Sequence, residues 1–301
     1  MKIAILSRSK HLYSTHSLFR AGFRRGHQVE IIDHTRCNLV IEKGHPKIFF
    51  EGRELSDIEA IIPRIGASVT GYGAAVIEQF ELMGVFTSVR TRALLQSRDK
   101  LKCLQKLSMA GIDIPKSFIV YQTGDLAEML AMLPSGPVII KLLESTHGAG
   151  VIIAESHQSA TSIIEAFTKT GKKVLVQEFI EESGGADIRA IVVGGQVVAA
   201  MRRQAAEGEF RSNLHRGATS VAVQLTAEEE QIVKKAARTM GLDVAGVDLL
   251  PSNRGYLVME VNASPGLEGI ENTTGIEVGV AIVDYVVKRT GKIAAFKSQK
   301  R

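Results

Sequence analysis

Two oxygen-bearing side chains stand two residues apart in an apolar stretch near the carboxyl end of the chain. The segment VMEVNASPG, residues 258–266, reads as a strand that carries Glu260 and Asn262 and then stops at Asn-Ala-Ser-Pro-Gly. Side chains alternate between the two faces of a strand, so these two share one face. Carboxylate and amide oxygens placed in this way are potential ligands of a hard divalent cation.

A second carboxylate joins them if the preceding segment folds back as a β-hairpin. Residues 245–260, AGVDLLPSNRGYLVME, consist of two apolar runs around a turn at Ser252–Gly255, which is a hairpin pattern. A turn centred near Arg254 places Asp248 opposite Glu260, and two bare carboxylates so close repel each other unless a cation lies between them. Mg²⁺ or Mn²⁺ that also binds substrate phosphates fits this need. An exposed hairpin whose acids face water is the alternative.

A lysine within an apolar strand is a further chemical signal. Residues 136–156, GPVIIKLLESTHGAGVIIAES, form two β-runs around a small-residue loop at Ser145–Gly150, and Lys141 lies in the first run. An ammonium group there needs a counter-charge or a route to water, because burying it unpaired is costly. A nucleotide phosphate would supply that charge, and glycines let backbone N–H groups approach its oxygens. The same Gly-x-Gly pattern also fits an ordinary hairpin turn.

The first part of the chain predicts a βαβ unit. Strands at 2–7 and 28–33 flank a helix at 14–25, which Gly26 closes, and a further strand covers 59–66. The turn after the first strand lacks the G-x-G-x-x-G pattern, so it gives no support for dinucleotide binding. Arg8 follows the first strand and Arg64 lies at the end of the last one, where open α/β sheets bind ligands. They either meet an anionic substrate group or are ordinary surface arginines.

Periodicity and capping signals define the elements that must hold these residues. A change of pattern at Arg90–Ser97 indicates a domain boundary. Beyond it, the predicted helices cover 97–111 with Ser97 as N-cap, 125–132, 226–240 with a Thr226/Glu229 capping box, and 276–289. The predicted strands are 174–180 and an antiparallel pair that turns at Gly194-Gly195 and ends in Arg202 and Arg203.

Composition restricts the class of protein. The chain has 301 residues, of which 45% are hydrophobic, enough for two or three modest domains with a buried core. Its two cysteines, Cys37 and Cys103, are far apart, which predicts a reducing compartment rather than a disulfide framework. The sequence has no signal-peptide pattern and no run long enough to span a bilayer, so a cytoplasmic location is expected.

The formal charge of +5 depends on the end of the chain. Residues 287–301 hold six Lys or Arg and no acid, so the remainder carries 5 − 6 = −1. Such a tail either docks on RNA, a ribosome or an acidic protein, or is a solvated terminal segment.

An ordered set of motifs resembles the ATP-grasp superfamily of carboxylate–amine ligases, and within it the RimK family. The set is Lys100, Lys141 with its glycine loop, QEFI, DIR, FRSN and VD…MEVNASPG, and the likeness covers nearly the whole chain apart from the tail. The resemblance implies an α/β (α+β) ATP-grasp fold. A Rossmann-like pre-ATP-grasp domain at 1–95 would precede an ATP-grasp domain at 96–290, whose central (96–176) and C-terminal (177–290) subdomains clamp ATP, with a basic tail at 291–301.

The resemblance also implies roles for individual residues. Glu178 and Phe179 would form the hinge that receives adenine, and Asp187 would take the ribose hydroxyls. The remaining ATP contacts would come from Lys100, Lys141, Arg211, Ser212 and Asn213. The ligands of two Mg²⁺ or Mn²⁺ ions would be Asp248, Glu260 and Asn262.

The implied reaction activates a carboxylate as an acyl phosphate, which an amine then attacks. Arg189, with Arg202 or Arg203, would stabilise the acyl phosphate and the oxyanion, although Arg189 in a structural ion pair is the alternative. Within the RimK family, L-glutamate is joined to the C-terminal glutamate of a small-subunit ribosomal protein or built into poly-α-glutamate. These substrates, a homo-oligomeric state, and no membrane or direct nucleic-acid binding are therefore expected.

Three other functions remain open at this point. An ATP-grasp ligase with a different amino-acid or peptide substrate, of glutathione-synthetase or amino-acid-biosynthesis type, would share the nucleotide site. A catalytically silent scaffold would bind ATP without turnover. An RNA-binding protein would depend on the basic tail.

Overall fold

The computed structural model describes residues 1–143, 150–214 and 217–298, and within 293–298 the backbone alone. In these ranges the chain forms four β-sheets flanked by helices. The predicted glycine loop lies largely outside the described residues, and so do His215, Arg216 and residues 299–301.

The N-terminal part is built on a parallel sheet with strand order β2-β1-β6-β7. The hydrophobic run KIAIL makes β1 a central strand, buried from Ile3 to Leu6. A small antiparallel sheet, β3-β4-β5, lies beside it. The elements are β1 (Lys2–Leu6), α1 (Tyr13–Arg24), β2 (Gln28–Ile32), β3 (Asn38–Val40), β4 (Lys47–Phe50), β5 (Arg53–Glu54), β6 (Ala60–Pro63), α2 (Thr70–Leu82) and β7 (Phe86–Thr87).

The central part is an antiparallel sheet with strand order β10-β9-β11-β8. It has a hydrophobic cluster of its own, in which Val138, Ile140, Ala160 and Ile164 are fully buried. The elements are α3 (Thr91–Arg98), α4 (Lys100–Met109), β8 (Ser117–Val120), α5 (Leu126–Ala131), β9 (Val138–Leu142), β10 (Val151–Ala154), α6 (His157–Lys169) and β11 (Val174–Glu178).

The C-terminal part is a second antiparallel sheet, with order β14-β13-β12-β15-β16. The N-cap Thr226 and Glu229 form the predicted capping box of its helix. The elements are β12 (Ala186–Val193), β13 (Gln196–Gln204), β14 (Thr219–Ala222), α7 (Ala227–Thr239), β15 (Val244–Ser252), β16 (Gly255–Asn262), α8 (Glu268–Thr274) and α9 (Val278–Ser298).

The N-terminal and C-terminal parts share one continuous hydrophobic core. Polar contacts join them at its edge: the Ser17 hydroxyl donates to Glu271 at 2.9 Å, and Arg25 pairs with Asp284 at 2.7 Å. The Leu267 N–H donates to the Ser14 hydroxyl at 2.9 Å. The carboxyl ends of β1 and β6 are therefore fixed next to the loop that follows β16.

The α/β organisation predicted from the sequence is confirmed, with two corrections to helices. The predicted helix 97–111 is two helices, because the extended backbone of Asp99 ends α3 and caps α4. The Asp99 carboxylate accepts from the Lys102 N–H at 3.0 Å, whereas the Ser97 hydroxyl bonds back to the Leu94 carbonyl. The last helix runs to Ser298, past the predicted end at 289 and into the segment predicted as a tail.

The predicted domain limits at 95, 176 and 290 stay predictions. Strand β11 runs across the limit at 176, and α9 runs across the limit at 290. Among the described residues, no helix is both long enough and apolar enough to cross a membrane.

Replacing the true cap of α4 should loosen its first turn. We expect Asp99→Ala to destabilise this turn by about 1 kcal/mol, because it removes the acceptor for an otherwise unpaired N–H group. Hydrogen exchange at the Lys102 and Cys103 amides should accelerate. Ser97→Ala is the matched control and should leave that exchange unchanged. Faster exchange in Ser97→Ala alone would show that Ser97 is the N-cap residue.

Candidate active site

The β15–β16 hairpin forms with the register predicted for it. Asp248 pairs with Glu260, Gly246 pairs with Asn262, and the turn closes at Ser252 and Gly255. Directly opposite residues share a face of an antiparallel pair, as do residues two apart on one strand. Asp248, Glu260 and Asn262 therefore lie together on one face. Asp248 is 1% exposed, whereas Glu260 is exposed and Asn262 partly buried.

Two features shape this end of the hairpin. The register shifts between Asp248 and Leu249, so Met259 is the extra residue of a β-bulge, which increases the local twist next to Glu260. A Cβ on Gly246 would lie only 2.8 Å from the Cβ of Pro265. Glycine at this position lets the loop after β16 fold back closely over the face that carries the acids.

The structure compensates the charge of Asp248 with arginines. Arg189 donates to both carboxylate oxygens, from Nε at 2.7 Å and from Nη2 at 2.5 Å, and Arg203 lies 3.2 Å away. Burial raises the pKa of a carboxyl group, but here the charges of the two arginines outweigh it and the pKa of Asp248 is lowered. The expectation that a cation must separate bare carboxylates was therefore incomplete, because Asp248 already has positive neighbours.

Arg203 extends this network to Asp187. It donates to both oxygens of Asp187, at 2.7 Å from Nε and 2.5 Å from Nη2, and Asp187 is buried. Burial raises the pKa of Asp187, while bonds from Arg203 and Ser212 oppose the shift. In this structure Asp187 is a counter-ion of Arg203, and its contact with a ribose stays a prediction.

The structure separates Arg202 from the other predicted catalytic residues. Arg203 pairs with Asp187 across β12 and β13, so Arg202, opposite Ile188, projects from the other face of the sheet. It is exposed, and its charge acts on Tyr256, which bonds to Glu229 of α7. Two adjacent arginines on a strand cannot both reach one site. We therefore correct the sequence-based hypothesis and assign the network to Arg189 and Arg203.

The predicted phosphate lysines lie across from the hairpin, Lys141 on strand β9 of the central sheet and Lys100 at the start of α4. The Lys141 ammonium donates to the Gln177 side chain at 2.7 Å, and the Lys100 ammonium to the carbonyls of Leu142 and Leu143 at 3.3 and 3.1 Å. Burial lowers the pKa of both lysines, in Lys141 to about 8, and the charge of Glu260 opposes the shift in both. The structure thus brings Lys100, Lys141 and Glu260 within electrostatic range of one another.

The predicted adenine hinge lies at the end of β11. The Glu178 N–H donates to the Lys116 carbonyl at 2.9 Å, and its carboxylate accepts from the Lys116 N–H at 2.5 Å and pairs with Arg254. Arg254 belongs to the hairpin turn, so this ion pair joins the central sheet to the C-terminal sheet. Phe179 follows, partly buried. The adenine contact itself stays a prediction.

Three predicted ATP contacts, Arg211, Ser212 and Asn213, lie in the loop after β13. Only some of them are oriented toward the network of ion pairs around Arg203. Arg211 pairs with Glu209 at 2.7 Å and stacks on Phe210, its neighbour in the loop. The Ser212 side chain acts to lower the pKa of Asp187, the partner of Arg203. Asn213 is partly buried in the same loop.

The donors on the hairpin suit magnesium rather than a self-contained metal centre. In the described ranges no three His, Cys, Asp or Glu side chains converge as a metal site. Asp248, Glu260 and Asn262 offer only oxygen atoms, and Mg²⁺ binds through one or two carboxylates together with substrate phosphates and water. The residues therefore fit a metal ion that arrives with a nucleotide.

Sequence reasoning missed Gln177, Arg254 and Arg98. Gln177 accepts a hydrogen bond from Lys141, and Arg254 forms an ion pair with Glu178. The charge of Glu260 acts to raise the pKa of Arg98. Only the first had a local signal, since Gln177 precedes the QEFI glutamate and a polar residue in a buried strand requires a partner. The other two act across distances in sequence that no local pattern reports.

Two family models match this chain. The model of the RimK-like ATP-grasp domain matches residues 97–286, and that of the RimK PreATP-grasp domain matches residues 1–94. A protein of Aliivibrio fischeri (strain MJ11) named "Probable alpha-L-glutamate ligase" is 54% identical over 288 residues, 96% of each chain.

Two solved structures share the fold. The ATP-grasp ligase PsnB, complexed with a phosphomimetic variant of its minimal precursor, Mg and ADP, superposes with a TM-score of 0.75 at 21% identity, over 96% of this chain and 98% of that one. D-alanine–D-alanine ligase from Bacillus anthracis, complexed with ATP, gives 0.70 at 17% identity, over 99% of both chains. The predicted ATP-grasp fold is confirmed.

The buried charge of Lys141 should destabilise the ligand-free protein. Burial lowers the pKa of Lys141 from 10.5 to about 8. Below pH 8 the folded protein therefore holds a charged ammonium group whose burial is unfavourable. We expect Lys141→Met to raise the free energy of unfolding at pH 7 by about 1–3 kcal/mol, since one pKa unit is worth about 1.4 kcal/mol.

The sign of this effect fixes its pH dependence. As pH rises from 8 towards 10.5 the folded state loses its proton before the unfolded state does, so the advantage of Lys141→Met should shrink over that window. Urea unfolding at pH 7 and pH 9.5 measures it. Lys102→Met, at an exposed position of α4, is the control and should change little. A Lys141→Met protein less stable than wild type at pH 7 would contradict the lowered pKa.

Proposed function

The chain belongs to the RimK-like ATP-grasp family, and from this we propose that it is an ATP-dependent ligase that adds L-glutamate to the carboxyl end of a peptide or protein. The observation that carries the proposal is the juxtaposition of Lys100 and Lys141 with Glu260, opposite Asp248 on the hairpin. Cationic groups for phosphates and oxygen ligands for magnesium thus face each other. The 54% identity to a protein named "Probable alpha-L-glutamate ligase" supports glutamate as substrate.

The reaction we propose has two steps. A carboxylate oxygen of the acceptor takes the γ-phosphoryl group of ATP, and ADP leaves. The amine of glutamate then attacks the acyl carbon and loses a proton, and inorganic phosphate departs as the carbon–nitrogen bond forms. Lys100 and Lys141 would hold the phosphates, while Asp248, Glu260 and Asn262 would hold magnesium. The metal, when bound, neutralises charge that develops on the phosphoryl oxygens.

The two arginines of the network take different parts. The Arg189 side chain is 18% exposed and that of Arg203 only 4%. Arg189 can therefore contact the acyl phosphate and the tetrahedral oxyanion while it holds Asp248, and preorganised donors of this kind give a large electrostatic gain. Arg203, enclosed between Asp187 and Asp248, is a positioning residue.

The acceptor we propose is a chain that ends in glutamate, such as the C-terminus of a small-subunit ribosomal protein or a growing poly-α-glutamate. A structural neighbour of this chain was solved with a precursor peptide, which supports a peptide as acceptor. The substrates would then be ATP, L-glutamate and a glutamate-terminated peptide, with Mg²⁺ or Mn²⁺ as cofactor.

Purified protein with ATP and Mg²⁺ tests this function directly. A peptide ending in glutamate should gain the mass of one or more glutamate residues, with one phosphate released for each. Nineteen parallel reactions, each with another amino acid, give the specificity. Turnover with a different amino acid and none with glutamate would replace the proposal by another ATP-grasp ligase. Nucleotide binding without any turnover would indicate a catalytically silent scaffold that binds ATP.

Removal of the exposed metal ligand should abolish turnover without unfolding the protein. We expect Glu260→Gln to lower phosphate release at least 100-fold, because the isosteric amide retains the shape but loses the charge that binds the metal. Glu165→Gln, at an exposed position of α6, should retain full activity. Phosphate release at the wild-type rate in Glu260→Gln would exclude Glu260 as a metal ligand.

Nucleotide binding should weaken as pH rises through the pKa of Lys141. Since that pKa is about 8 without ligand and a bound phosphate favours the charged form, Mg·ADP affinity should fall by up to tenfold per pH unit above about 8. Calorimetric titrations from pH 6.5 to 9.5 measure this. Lys141→Arg stays charged throughout and should flatten the profile; an unchanged slope would place the titrating group elsewhere.

A further inference from the structure

Three arginines converge at the carboxyl end of β6. Arg64, directly after the strand, donates from Nη2 to the Pro265 carbonyl at 2.6 Å. Arg98, at the end of α3, donates from Nη2 to the Ile65 carbonyl at 2.6 Å. The guanidinium of Arg8 lies against Gly66, 3.1 Å from where a Cβ would stand. We call Arg64 and Arg98, with the neighbouring Ser264, the arginine cluster.

The charges of the arginine cluster are not balanced within the described part of the chain. The bonds that Arg64 and Arg98 make there go to backbone carbonyls, and neither forms an ion pair with a described carboxylate. Arg98 Nε and Ser264 Oγ are buried without a hydrogen-bond partner among the described residues. Buried donors are almost always satisfied, so these two indicate a ligand that brings acceptors.

The electrostatics agree with that geometry. Burial, and after it the nearby charge of Arg98, lowers the pKa of Arg64 to about 10. Burial also lowers the pKa of Arg98, although Glu260 opposes the shift. Holding two guanidinium groups together in a partly buried place is costly unless an anion pairs with them. A carboxylate matches the planar fork of arginine through paired N–H···O bonds.

The cluster lies beside the reaction site but is separate from the phosphate lysines. Glu260 acts on Arg98 as well as on Lys100, and Arg64 holds the loop that immediately follows β16. An anion bound here would sit next to the metal-binding face without occupying the place of the phosphates. Both substrates of the proposed reaction carry such an anion: incoming glutamate keeps two carboxylates, and the acceptor keeps the side-chain carboxylate of its last residue.

We propose that Arg64, Arg98 and Ser264 form a subsite for a substrate carboxylate that is not activated, and that this subsite sets the preference for acidic substrates. The identity of the substrates rests on the proposed function; the anion subsite rests on the cluster itself. Its donors position the substrate and take no part in bond formation. Arg8, exposed at the edge of the cluster, lies where the carboxylate would enter.

The test compares Arg98→Gln, Arg64→Lys and Ser264→Ala with wild type. Arg98→Gln removes a charge, Arg64→Lys keeps the charge but loses the fork, and Ser264→Ala removes one donor with little risk to folding. Arg92→Met, an exposed arginine of α3, is the control. The Kd for Mg·ADP is measured in every variant and should stay within about twofold of wild type, which shows that the fold and the nucleotide site are intact.

Two kinetic arms separate the possible sources of the carboxylate. Arg98→Gln and Arg64→Lys should raise the KM for L-glutamate or the KM for the glutamate-terminated peptide at least tenfold, with kcat changed less than about threefold; Ser264→Ala should give a smaller rise in the same KM. The constant that rises identifies the substrate that is held. Discrimination between that substrate and its glutamine counterpart should fall in parallel. Both KM values within twofold of wild type, with Mg·ADP binding intact, would overturn the subsite.

Direct binding keeps this test independent of turnover. L-Glutamate and the peptide are titrated separately into Mg·ADP-loaded wild type and into each variant. Binding to wild type that Arg98→Gln weakens at least tenfold supports the subsite even if the ligase reaction fails. If neither compound binds to wild type, the subsite is overturned, whereas loss of glutamate turnover alone would contradict only the proposed function.

Discussion

A carboxylate buried within an apolar sheet persists only with positive charge beside it, and Asp248 imposes this constraint on the C-terminal part of the molecule. Arg189 and Arg203 meet it from two neighbouring strands, and Asp187 in turn balances Arg203. Removing any one partner would leave an uncompensated charge inside the sheet. The network therefore links β12, β13 and β15 on the face of the hairpin whose Glu260 acts on Lys141 of β9 and on Lys100 of α4.

The chain is an ATP-grasp ligase of the kind that forms carbon–nitrogen bonds, and its described residues form two separate hydrophobic cores. The N-terminal and C-terminal parts share one core, while the central sheet has a separate one. The Glu178–Arg254 ion pair and the bonds of Lys100 to the carbonyls after β9 join the central sheet to the rest. Arg25, directly after α1, pairs with Asp284 of α9, and Arg64 donates to the Pro265 carbonyl in the loop after β16.

Local patterns were sufficient where structure is local. The hairpin register follows from one turn and two apolar runs, and the capping box of α7 from two residues three apart. The helix boundary near Ser97 was misplaced because Asp99 caps equally well and lies closer to the first buried residue of α4. Arg202 was named as an alternative to Arg203, although strand alternation already places it on the other face.

The partners of the site were beyond local reasoning. Arg98 and Arg254 come near Glu260 and Glu178 only once three sheets have packed, and their own surroundings in sequence show no periodic or motif signal. The pairing of Arg189 with Asp248 depends on a strand register that joins segments 59 residues apart. Tertiary packing, not propensity, therefore determines which charges in this chain become partners.

A crystal structure of the protein with Mg²⁺ and a non-hydrolysable ATP analogue would test the central claim most directly, namely that the hairpin and the lysines are two halves of one nucleotide site. The account predicts a metal ion bound by Glu260 and Asn262 together with phosphate oxygens, and Lys141 within hydrogen-bond distance of the same phosphates. A nucleotide bound elsewhere, or phosphates held without contact to either Lys141 or Glu260, would contradict it.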